Sequence, residues 1–75
     1  MKRIDVIAEV TGTVWKIEAA LGQTLDADDA ILIAESMKME IPVPAPAGGT
    51  LVELRVAEGD PIEDGQVVAV LEVAA

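Results

Sequence analysis

Gly12-Thr13-Val14-Trp15-Lys16-Ile17 returns 37 residues later as Gly49-Thr50-Leu51-Val52-Glu53-Leu54. The same offset lays Ala20-Leu21-Gly22-Gln23-Thr24-Leu25 on Ala57-Glu58-Gly59-Asp60-Pro61-Ile62. It also lays Ile31-Leu32-Ile33-Ala34-Glu35 on Val68-Ala69-Val70-Leu71-Glu72. Between residues 12–35 and 49–72, five of 24 aligned positions are identical without a gap, and most apolar positions match in kind. Two copies are too few for a solenoid. They suit a pseudo-twofold domain whose halves bury each other's apolar faces.

The repeated unit reads as β-structure. Val52, Leu54 and Val56 alternate with Glu53 and Arg55, and Trp15 and Ile17 alternate with Lys16 and Glu18. A period of two with β-branched enrichment indicates half-buried strands. Glu63-Asp64-Gly65 and Ala47-Gly48-Gly49 signal turns, and Gly22 and Gly59 hold the same place in each half, where a tight turn calls for positive φ or close approach. Strands are expected near 3–8, 12–19, 30–35, 39–44, 49–57 and 66–73, with short pieces near 24–26 and 61–63. No ten-residue segment carries a helical stripe. The expected fold is all-β: a flattened antiparallel barrel or sandwich of eight strands with a pseudo-twofold repeat, in one domain over 1–75. Trp15 is expected as a barrel side chain, with a partner contact as the alternative. Pro42, Pro44 and Pro46 alternate; proline donates nothing to a ladder, so the segment is expected as an edge strand, or as one whose inward amides all come from the alternate residues, and the strand start at Gly49 leaves little room for the rival polyproline linker.

Composition narrows the function. There is no Cys and no His, so disulfides and thiolate zinc sites are excluded, and the commonest general base and metal ligand are missing. Absence of Cys fits a reducing cytoplasm. The net charge of −9, from 14 acidic and 5 basic residues, disfavours nucleic acid and anionic membranes as partners. No apolar run is long enough for a membrane span, and Met1-Lys2-Arg3-Ile4-Asp5 does not open a signal peptide. Asp26, Asp28 and Asp29 look like the start of a metal loop, but the Gly and distal Glu of an EF-hand do not follow, so no metal is expected. With little space for a cleft that would perturb titratable groups, an enzyme is not expected either.

The connection between the halves holds Glu35-Ser36-Met37-Lys38-Met39-Glu40. Lys38 is the one basic residue between Lys16 and Arg55, framed by the only methionines besides Met1. With strands ending near Glu35 and resuming near Met39, Lys38 falls in a hairpin turn. Two-residue hairpin turns normally recruit Asn-Gly or Asp-Gly because positive φ is needed. Other residues there cost about 1–2 kcal/mol each. A tight turn here would keep costly residues where cheaper ones fold better. Residue physics alone leaves two readings: a surface lysine on an ordinary loop, or a lysine presented to another protein.

The hexapeptide resembles the biotin-attachment signature, whose core is Met-Lys-Met, usually after Glu-Ala; here Ser36 replaces the Ala. Ile41-Pro42-Val43-Pro44-Ala45-Pro46, Gly49-Thr50 and the Gly22 and Gly59 turns are similar too, so the resemblance to biotinyl domains of the biotin/lipoyl attachment family covers nearly the whole chain. It implies two four-stranded sheets with Lys38 on an exposed hairpin at the end opposite both termini. The protruding loop of larger carrier proteins finds no room between Val10 and Gln23. The Ala/Pro-rich linker that precedes the domain in those proteins is also missing, so tethering is expected to come from a partner.

The resemblance further implies covalent biotin on Lys38, added by a biotin protein ligase through a biotinyl-adenylate. A lysine amine is cationic at neutral pH, so the ligase must take its proton. A biotin carboxylase would then load CO₂ on the ring and a carboxyltransferase would pass it on. The domain itself would supply effective concentration rather than catalysis. Met37 and Met39 are expected either as flanking recognition residues or as caps on the barrel end. Glu35 and Glu40 are expected as solvated strand ends, with ligase contact as the alternative. The expected protein is a cytoplasmic carrier, monomeric alone. Two other functions stay open: a lipoyl carrier for a 2-oxo acid dehydrogenase, although lipoyl sites usually read Asp-Lys-Ala, and an unmodified acidic interaction module.

Overall fold

The computed structural model describes residues 2–74; Met1 and Ala75, the ends of the expected domain, lie outside the described residues. Eight strands follow in order: β1 Lys2–Ile7, β2 Gly12–Ile17, β3 Thr24–Leu25, β4 Ala30–Ser36, β5 Met39–Pro44, β6 Gly49–Leu54, β7 Pro61–Ile62 and β8 Val67–Val73. They form two four-stranded antiparallel sheets, ordered β1-β8-β6-β3 and β5-β4-β2-β7. The all-β expectation holds. The strands expected at 12–19 and 49–57 end earlier, at Ile17 and Leu54.

Each of the first four strands coincides with one of the last four when shifted by 37 residues. The halves interlock, because each sheet takes its strands from both. β1 pairs with β8, β3 with β6, and β2 with β7. Neither half can close its own sheet, and the core forms only when both are present. The repeat includes β1 and β5 and the residue after each: Ile4, Val6 and Ala8 match Ile41, Val43 and Ala45.

The core is aliphatic. Ile31, Leu32, Leu51, Ile62, Leu71, Val6, Val14 and Val68 are fully buried, and among the described residues no polar or charged side chain is buried. At about 1.5–3 kcal/mol for each large aliphatic side chain, this burial is the main stabilising term.

The register shifts at four places, two of them at equivalent positions of β2 and β6. Val14 pairs with Ala34 and Lys16 with Ile33, which leaves Trp15 as an extra residue. Leu51 pairs with Leu71 and Glu53 with Val70, leaving Val52 in the equivalent place. Trp15 is therefore turned out of the barrel, at 49% exposure. This corrects the expectation of a barrel side chain: the period of two breaks where the strand gains a residue.

β5 is an edge strand. Ser36 and Met39 close a two-residue hairpin and form its first pair, so by antiparallel alternation Met39, Ile41 and Val43 aim their amides at β4. Pro42 and Pro44 occupy the positions whose N–H would point away, so the prolines cost the ladder nothing.

Candidate attachment site

The β4–β5 hairpin carries the candidate site. Its pairs run Ser36 with Met39, Glu35 with Glu40, Ala34 with Ile41, and Ile33 with Pro42. Only Met37 and Lys38 are left for the turn, and both have positive φ, at 52° and 65°. Two consecutive left-handed residues are the mark of the type I′ hairpin turn, whose twist matches the strands. The local price is about 1–2 kcal/mol for each non-glycine residue held there.

The base of the hairpin is pinned. Ser36 Oγ donates to the carbonyl of Thr11 at 2.8 Å, and Thr11 Oγ1 accepts from the amide of Asp64 at 3.1 Å. A Cβ on Gly12 would collide with the carbonyl of Glu35, so glycine lets β2 approach the hairpin this closely. These supports escaped the sequence reading. Its one signal was Ser36 in place of the commoner Ala: the hydroxyl has a partner, which an alanine would lack.

The tip is open to solvent. Lys38 is exposed and takes part in no ion pair among the described residues. Met37 is 93% exposed and Met39 63%, so neither caps the barrel. Paired residues share a face. Val14, Ala34 and Ile41 form a row whose first two members are buried, so the alternate rows Thr13-Glu35-Glu40 and Lys16-Ile33-Pro42 face outward. Glu35 and Glu40 are thus exposed, directly opposed carboxylates, a pairing that disfavours the hairpin.

This arrangement can present one primary amine deep inside another protein's cleft, and little else. Two apolar, unbranched neighbours impose no competing hydrogen bond on the amine. An acyl group on Lys38 Nζ would meet open solvent, so the residues present fit a covalent acyl cofactor. Asp26, Asp28 and Asp29 instead build a turn: Asp29 Oδ2 accepts from the Asp26 amide at 2.9 Å, and Asp28 has φ 73°. Among the described residues no cluster of three His, Cys, Asp or Glu is placed to hold a metal. A groove of about 540 Å³ runs between edge strands β1 and β5, lined by Ile7, Val10, Ile41 and the β5 prolines with Asp5 and Glu9. It joins no nucleophile to a base. No helix of the described residues is long and apolar enough to cross a membrane.

Comparison with known proteins finds relatives whose names carry biotin and others whose names carry lipoyl groups. The Biotin_lipoyl family, described as "Biotin-requiring enzyme", matches residues 4–71. A Mycobacterium leprae protein named Biotinylated protein TB7.3 homolog is 37% identical over 67 residues, covering 89% of this chain and 94% of its own. The urea amidolyase of Saccharomyces cerevisiae is 36% identical over 70 residues, 93% of this chain but only 4% of that protein. Among solved structures, Kluyveromyces lactis urea carboxylase superposes with a TM-score of 0.90 at 35% identity, over 96% of this chain and 6% of that one. The chain therefore spans nearly the whole of one small relative and a minor fraction of the large enzymes.

Proposed function

Because this chain belongs to the biotin/lipoyl attachment family, we propose that it is a biotin carboxyl carrier, a single attachment domain over 1–75 whose Lys38 is biotinylated. The observation that carries this reading is the turn itself. The chain holds Lys38 at positive φ, exposed, between two exposed methionines, where Asn-Gly would fold at lower cost. Met-Lys-Met, rather than Asp-Lys-Ala, favours biotin over lipoate.

In the loading step, neutral Lys38 Nζ attacks the acyl carbon of biotinyl-adenylate. The C–N amide bond forms, the acyl–phosphate bond breaks, AMP leaves, and the ligase accepts the proton. The positive charge of Lys38 disappears, taking the formal net charge from −9 to −10. Met37 and Met39 give the ligase adaptable apolar contacts beside the amine. When bound, biotin supplies a ureido nitrogen able to carry CO₂. The chain's own part is to hold the arm on a rigid hairpin at high effective concentration for its partners. Those partners are a biotin protein ligase, a biotin carboxylase and a carboxyltransferase. The first two use ATP and the third passes CO₂ from biotin to an acceptor, all in the cytoplasm, and the carrier has no catalytic role of its own.

Co-expression with a biotin ligase in biotin-supplemented medium, in parallel with a lipoate ligase and lipoate, tests the reading by intact mass. One biotinyl increment in the first culture is expected. A lipoyl increment alone, or no increment in either, would sink it.

A further inference from the structure

Trp15 is the only aromatic residue of the chain, and half of it lies in water. The bulge does not require an indole, since the same bulge in the second half is made with Val52, which is half-buried. The core offers no reason either, being wholly aliphatic. Trp15 does sit on the strand next to the one that leads to Lys38. It falls between Val14, paired with Ala34, and Lys16, paired with Ile33.

Register gives the separation. The level between Ala34 and Ile33 is about three and a half residues down β4 from the tip, roughly 12 Å at ~3.3 Å per residue, and Lys38, at the tip between β4 and β5, lies about one and a half strand spacings of ~4.8 Å from β2. The backbone of Trp15 is thus about 14 Å from that of Lys38. A biotinylated lysine has roughly eleven bonds between Cα and its bicyclic ring, and zigzagging bonds of ~1.5 Å span about 14 Å. Reach and separation agree. The outer face along this path carries Thr13, Glu35 and Glu40. Neither glutamate is in an ion pair among the described residues, so both can accept from the two N–H groups of a ureido ring. Beyond them Trp15 offers a flat, polarisable face to the ring and its thioether sulfur.

We propose that the biotinyl arm of Lys38 folds back over the outer face of β4 and rests its ring on the indole of Trp15. Trp15 is then a docking residue for the arm between its visits to partner active sites. This rests on biotin being the group carried by Lys38. It gives the exposed tryptophan a ligand of defined chemistry, a neutral bicyclic urea with a thioether.

The test uses the full chain, fully biotinylated as verified by intact mass, beside the unmodified chain. Trp15 fluorescence is quenched with acrylamide in both. With the docked state holding about half the population or more, the quenching constant falls about twofold on modification. Proton NOEs between the indole and the bicyclic ring are expected in the same sample. If a fully modified chain shows unchanged quenching, or no such NOEs, the docking is wrong while the carrier reading stands. If no biotinyl group is taken up, the carrier reading fails and the docking with it.

Discussion

Four turns of this barrel are built one way and the fifth another. At 20–23, 26–29, 57–60 and 63–66 the fourth residue's amide donates to the first residue's carbonyl, at 3.0–3.1 Å. In each, the fourth residue's side chain accepts from the first residue's amide, as with Gln23 to Ala20 and Asp60 to Ala57. The third residue of each has positive φ, and it is Gly22, Asp28, Gly59 or Gly65. Glycine and aspartate tolerate that conformation. The fifth turn, at the junction of the halves, uses Met37 and Lys38 for the same conformation, with an opposed glutamate pair just behind them. The chain thus places suitable residues wherever it needs only to turn. It departs from them at one place, the turn whose lysine the proposed function gives to a partner.

That contrast can be broken most sharply at the lysine. Lys38→Arg is expected to abolish modification outright, while leaving the melting temperature within a degree or two, since the guanidinium keeps the charge and the turn is unchanged. A modified Lys38→Arg chain would remove the distinction between the turns. Next comes the turn's conformation: Met37→Asn with Lys38→Gly should stabilise the chain by about 1–3 kcal/mol. At ~4–8 °C per kcal/mol for a domain this size, a clear rise in thermal midpoint follows. A fall would show that the tip residues serve the fold after all.

The ordinary turns should answer with the opposite sign. A Cβ at Gly59 meets no atom within 4 Å, so Gly59→Ala reports backbone conformation alone and should lose about 1 kcal/mol in denaturant titration. The smallest effect belongs to the pair behind the tip. Glu40→Lys turns opposed like charges into an ion pair and should gain ~0.2–1 kcal/mol at low salt, shrinking as salt is added.

Much of this contrast is legible in the amino-acid sequence, for a physical reason: both turn chemistry and apolar periodicity are local. The match of 12–35 to 49–72 points to a pseudo-twofold β-domain, the family resemblance implies its two sheets, and the glycines at 22 and 59 mark tight turns. The kinship of the first and fifth strands is harder to read. The three alternating identities, Ile4 with Ile41, Val6 with Val43 and Ala8 with Ala45, are masked by the prolines that take the outward positions of β5. The outward turn of Trp15 was illegible because a bulge is a property of two paired strands, and alternation along one strand does not report it. The tip's cost followed from the sequence only on condition that the loop held two residues. The pairing of Ser36 with Met39 meets that condition.

The central claim is that one lysine of three is set apart by the turn that holds it. Lys2 and Lys16 lie on β-strands, whereas Lys38 occupies the positive-φ tip. Peptide mapping by tandem mass spectrometry, after reaction of the purified chain with a biotin ligase, biotin and ATP, tests this most directly. The account predicts complete modification at Lys38 and none at Lys2 or Lys16. Modification spread over the three lysines, or confined to Lys2 or Lys16, would contradict it.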